Sequence, residues 1–176
     1  MLNSRVLVIG SANMDLVCNV EKFPEPGETL FGNKFQMIPG GKGANQAVSI
    51  GKLGGEVLFI GKLGNDAFRQ KLMDSLVSNG VDVSNILIDE KTSSGTALIT
   101  VDSTGENKII VISGSNMNLL PSDISSNKEL FKNVKIVLAQ LEIPMASIVE
   151  SARIAKQEDK NLFSIRLLLK SYLLNY

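Results

Sequence analysis

Histidine is missing from this sequence, and its two tyrosines fall at positions 172 and 176. Without histidine the commonest general base and the commonest metal ligand are gone. Acid–base chemistry then falls to carboxylates, lysine or tyrosine, and structural zinc is not expected. Cys18 is the sole cysteine, so no internal disulfide can form. That usage fits a reducing cytoplasm, and within its apolar run the thiol reads as a small buried hydrophobe. Net charge is missing as well, because 18 basic residues balance 18 acidic ones. A nucleic-acid or acidic-membrane partner has no electrostatic footprint here. No run is apolar over the length of a membrane span. Asn3, Ser4 and Arg5 lead directly into an apolar strand, so no secretory leader is expected.

What is present is a chain of 176 residues with 44% hydrophobic content, enough for one domain with a real core. It is organised around Gly40-Gly41-Lys42-Gly43-Ala44-Asn45, placed where a loop becomes a helix. Glycines let the backbone approach a ligand and adopt positive φ. The helix start offers unpaired N–H groups, Lys42 adds a charged donor, and Asn45 adds an amide that donates and accepts. This chemistry suits a polar, oxygen-rich small molecule. The stretch is not a P-loop, since Gly43 stands where Ser or Thr is needed, and not a dinucleotide fingerprint, since Gln46 stands at the third glycine. The plainer alternative is a glycine-rich turn that only begins a helix.

Short apolar runs at 6–9, 57–60, 136–139 and 162–165 read as buried parallel strands. Helical spacing is predicted from 44 onward, over 67–78, 121–131 and 145–156, and shorter strands over 16–20 and 86–88. Strands alternating with helices predict an α/β fold, a doubly wound, mostly parallel sheet with helices on both faces. Two hairpins, 29–38 around Gly32-Asn33 and 96–112 around residues 102–106, do not fit that alternation and are expected to form a small β lid. Asn13 and Asp15 follow the first strand, at the sheet edge where ligands bind in such folds; an Asx turn is the alternative there. No linker or second-domain boundary is apparent.

Gly10-Ser11-Ala12-Asn13-Met14-Asp15, Pro26-Gly27-Glu28-Thr29, Gly40 through Ala47 and Gln140-Leu141-Glu142 occur in an order and spacing that resemble the ribokinase-like carbohydrate kinases over residues 5–165. The resemblance implies substrate contacts from Asn13, Met14, Asp15, Gly41, Lys42, Gly43, Ala44, Asn45 and Glu142, with Ala97 and Ile99 as apolar lid contacts. It implies ATP-dependent phosphorylation of D-ribose at O5, with Mg2+ and a monovalent cation such as K+, in a cytoplasmic homodimer joined through its lids. The wording of residues 41–45 disfavours a nucleoside or fructose phosphate as substrate. The family's catalytic base lies in a Gly-Ala-Gly-Asp motif that this chain does not contain, nor does it contain the nucleotide-binding loops. No catalytic residue, cofactor contact or metal ligand is therefore assigned. Relatives continue after the last strand with an Asn-Pro-Ala-Pro-type loop, whereas residues 166–176 read RLLLKSYLLNY. The expectation is a sugar-binding N-terminal part over 1–165, incomplete at its C-terminus, followed by an aberrant apolar tail from a truncated or shifted reading frame. A non-catalytic ribose-binding or lid-dimerising fragment is the alternative.

Overall fold

A computed structural model of the chain describes residues 5–165. In chain order the first half contains β1 (Val6–Ile9), β2 (Asn13–Asn19), β3 (Lys34–Gly40), α1 (Lys42–Lys52), β4 (Val57–Ile60), β5 (Lys62–Gly64) and α2 (Arg69–Ser78). There follow β6 (Val81–Asp82), β7 (Leu87–Asp89), β8 (Gly95–Val101), β9 (Asn107–Ile112) and a 3-10 turn (Gly114–Asn118). The last elements are α3 (Pro121–Ser126), α4 (Glu129–Lys132), β10 (Ile136–Gln140), α5 (Met145–Gln157) and β11 (Asn161–Ile165).

β1 owes its central place to its composition. Leu7, Val8 and Ile9 are fully buried, as expected of a strand covered on both faces. The main sheet runs β11-β10-β1-β4-β6, with every pairing parallel. Pleating divides its side chains between two cores. Leu7, Ile9, Leu58, Ile60, Val137 and Ala139 meet Ile124, Phe131, Ile148 and Ile154 from α3, α4 and α5. Val8, Val57 and Phe59 meet Ala44, Ala47, Leu72 and Leu76 from α1 and α2. The doubly wound α/β expectation holds.

A second sheet, β3-β2-β8-β9, forms the lid. β2 pairs antiparallel with β3 and parallel with β8, and β8 turns back antiparallel through β9. The expected hairpin at 96–112 is present. The one at 29–38 is not: β3 begins at Lys34 and pairs with β2 along its whole length. The physical reason lies in the Gly32-Asn33 turn, where the Asn33 N–H donates to the Asn19 carbonyl at 2.7 Å. The turn thus hooks onto the end of β2 instead of closing a local hairpin. The strand expected over 16–20 starts earlier, at Asn13, and belongs to the lid. The helix expected over 121–131 is broken into α3 and α4. β5 and β7 form a separate parallel pair. The tail at 166–176 lies outside the described residues.

Candidate functional site

The site forms where β1 leaves the main sheet, β2 enters the lid and α1 begins. Gly41 caps α1 with φ 92°. A Cβ there would stand 2.8 Å from both the Ala12 Cα and the Asn13 nitrogen, so position 41 excludes every side chain on sterics and on backbone conformation. Gly43 is equally constrained, since its Cβ would lie 2.7 Å from the Gly10 carbonyl carbon and the Ser11 nitrogen. Two bare backbones can therefore cross, and the Ala44 N–H donates to the Ser11 carbonyl at 2.9 Å across the crossing. That crossing sets Lys42 and Asn45 of the first turn of α1 beside Asn13 and Asp15 of β2.

Glu142 arrives from the C-terminal end of β10. Its Oε2 accepts from the Ser11 hydroxyl at 2.6 Å and from the Lys42 N–H at 3.1 Å, and its Oε1 accepts from the Lys42 ammonium. The lid supplies the roof. Asp15, Ala97 and Val111 stand opposite one another across β2, β8 and β9, and Val17, Ile99 and Ile109 form the next row on the same face. The result is a pocket of about 370 Å³ lined by Asn13, Asp15, Gly41, Lys42, Asn45, Ala97, Ile99, Ile109, Val111 and Glu142. A neighbouring cavity of about 390 Å³ shares Asn13, Lys42, Val111 and Glu142 and extends past Ser113 and Asn116.

The two carboxyls of the pocket are tuned in opposite directions. Burial pushes the Asp15 carboxyl above its usual range, and the nearby charge of Glu142 pushes the same way. Burial also works to raise Glu142, but hydrogen bonds from the Lys42 ammonium, the Ser11 hydroxyl and the Lys42 N–H outweigh it and hold the group below its usual range. Glu142 is thus a fixed anion neutralised by Lys42, while Asp15 is an acceptor without a protein donor among the described residues. A polyhydroxyl ligand supplies such donors. Among those residues no group of three or more His, Cys, Asp or Glu side chains could hold a metal ion.

Of the substrate contacts expected from the sequence, Asn13, Asp15, Gly41, Lys42, Asn45, Ala97, Ile99 and Glu142 line this one pocket. Met14, Gly43 and Ala44 do not. Met14 is fully buried in the core beside Ala44, because β2 alternates and its neighbours Asn13 and Asp15 take the pocket side. Gly43 is consumed by the backbone crossing. Ile109, Val111 and Ser11 were missed in this pocket. Ile109 and Val111 extend the apolar roof, and period-two alternation opposite Ala97 and Ile99 could have located them. Ser11 anchors Glu142, a role with no local signal.

The family profile of the pfkB family carbohydrate kinases matches residues 3–173. The bifunctional ribokinase/ribose-5-phosphate isomerase A of Fructilactobacillus sanfranciscensis is 40% identical over 154 residues, which is 87% of this chain and 28% of that protein. The ribokinase of Bacillus subtilis is 39% identical over 154 residues, 88% of this chain and 52% of its own. Among solved structures, Arabidopsis thaliana ribokinase complexed with ribose and ATP superposes with a TM-score of 0.83 at 33% identity, over 93% of this chain and 53% of that one. The chain spans about half the length of the ribokinases it matches.

Proposed function

The chain belongs to the pfkB family of carbohydrate kinases, and from that premise we propose that it carries the sugar-binding portion of a ribokinase-type enzyme, which transfers the γ-phosphoryl group of ATP to O5 of D-ribose. The observation that carries this reading is the convergence of Asn13, Asp15, Lys42, Asn45 and Glu142, from three separate stretches, on one pocket under an apolar lid. Hydrogen bonds from ribose hydroxyls to an ionised carboxylate contribute about 1.5–3 kcal/mol each. Asp15 is the acceptor available for them, and Glu142 keeps Lys42 and the start of α1 in place beside it. Ala97, Ile99, Ile109 and Val111 cover the carbon face of the sugar and exclude water.

The carboxylates of the pocket do not fit a magnesium ion with its nucleotide. Glu142 is committed to Lys42 and Ser11, which leaves Asp15 as the one free carboxylate in the pocket, and this reading assigns it to the sugar. On this reading ATP, Mg2+ and a monovalent cation such as K+ belong to the remainder of such an enzyme. Residues 1–165 are its sugar-binding part, acting in the cytoplasm, where Cys18 stays a thiol.

The lid supports a second element of the proposal. On the face opposite the pocket, Met37, Leu98 and Ile110 lie in cross-strand register and all three are exposed. An apolar row of this kind suits a second copy of the chain, giving a homodimer joined lid to lid.

Calorimetric titration of the chain with D-ribose tests the sugar reading. Saturable heat is expected, and Asp15→Ala should weaken binding more than about a hundredfold, equivalent to ~3 kcal/mol. An unchanged dissociation constant would leave Asp15 a residue of β2 with no part in sugar binding, the Asx turn that was the alternative being already excluded by its strand pairing.

A further inference from the structure

Asn116 sits in the 3-10 turn that follows β9 and is almost wholly buried. The backbone dictates which way its amide points. Its Oδ1 accepts from the Ala12 N–H at 3.0 Å, a donor that only an oxygen can meet. Its Nδ2 is therefore the atom that lies 2.9 Å from the Ser113 carbonyl and 2.7 Å from the Asn13 side chain. A donor at that point requires the Asn13 oxygen to face it. Because the Asn13 amide is planar, its NH2 group is turned the other way. That NH2 meets no protein acceptor among the described residues, yet it is not among the buried atoms left without a partner. Asn13 lines the pocket and the cavity beside it, and the NH2 is its side-chain group left for a ligand there.

We infer that Asn116 is a positioning residue that locks Asn13 as an obligatory hydrogen-bond donor to a sugar oxygen. Asp15, two residues along the same face of β2, is the obligatory acceptor, so the pocket reads a hydroxyl in a fixed polarity. The same amide ties Ser113, at the root of β9, to Ala12, at the root of β2, so the lid is joined to the donor it covers. This inference rests on the ribose reading above.

The test is calorimetric titration of the chain with D-ribose, 2-deoxy-D-ribose, 3-deoxy-D-ribose and 5-deoxy-D-ribose. Asn116→Ala is expected to weaken ribose binding at least ~tenfold, and Asn13→Ala/Asn116→Ala to bind no more weakly than Asn13→Ala alone. The loss should vanish for the one deoxy sugar that lacks the hydroxyl met by Asn13. Additive losses, equal for every sugar, would mean a purely structural Asn116 and overturn the assignment. Asn13→Asp keeps an oxygen towards Asn116 and replaces the donor by a carboxylate oxygen, adding a charge to the pocket of Asp15 and Glu142; should Asn116→Ala fail to fold, ribose affinity of Asn13→Asp equal to that of the unaltered chain overturns the inference. If the unaltered chain binds no ribose, the functional reading falls and this one with it. If ribose binds and survives both changes undiminished, only the assignment of Asn116 is wrong.

Discussion

Gly41 and Gly54 both hold positive φ, at 92° and 79°, yet only the first is hemmed in by backbone. Gly41→Ala is expected to cost ~1–3 kcal/mol more than Gly54→Ala, and urea melts of the two variants check it; equal midpoints would mean the crossing can open. Asp15 gives a pH signature. Its carboxyl binds its proton more tightly in the folded chain than in the unfolded one, so stability falls as pH rises from the ordinary carboxylate range through its raised value. Glu142 acts in the opposite sense: its contribution is full above its ordinary value and is lost as pH falls through its lowered one. Asp15→Asn should flatten the first slope, leave the melting temperature near pH 7 equal or higher, and impair ribose binding. Thermal melts between about pH 4 and 7, paired with titration, separate these outcomes. Asn13, Asp15, Gly41, Lys42 and Asn45 were legible at this scale because polar side chains and glycines at a strand end and a helix start suit a ligand, whereas Glu142, Ala97 and Ile99 were expected from the family resemblance alone. Ser11 and Asn116 were not, because their partners lie 131 and 103 residues away in sequence.

The elements tell a different story about legibility. β1, β4 and β10 announced themselves as unbroken apolar runs, and α5 by its helical stripe. The partner of β3 did not. Residues 34–37 alternate polar with apolar before the pattern ends at Ile38, and nothing local says that the strand pairs with β2 instead of residues 29–33. The polar Asn13 and Asp15 concealed the start of β2, since side chains chosen for a ligand dilute the apolar pattern that marks a strand. The lid carries its own prediction. Ile110 is 64% exposed in β9, and Ile110→Glu would place an unpaired charge in the proposed lid-to-lid contact, where burial costs several kcal/mol. Sedimentation velocity should show the dimer of the unaltered chain shifting to monomer, with ribose affinity reduced at most slightly. A monomeric unaltered chain would remove the lid contact altogether.

At the scale of the whole molecule, the proposed reading gives this chain a sugar pocket and leaves phosphoryl transfer to the remainder of such an enzyme. The purified polypeptide 1–176 is expected to bind ribose without ribose-dependent ADP release. A coupled assay checks this, and turnover that disappears in Asp15→Ala would contradict it, since a contaminating host kinase would not respond to that change. The strand order has a further consequence, in time. β1 meets β4 first, with Val6 facing Val57, but its other edge waits for β10, whose Ile136 faces Val6. At a synthesis rate of roughly 5–20 residues per second, β1 spends on the order of ten seconds with a bare edge as the chain emerges from the ribosome. Such distant pairing also slows refolding from denaturant. The strand at the centre of the sheet is the earliest made and among the last to be closed in, so the nascent chain is most open to misassembly between the emergence of β4 and that of β10.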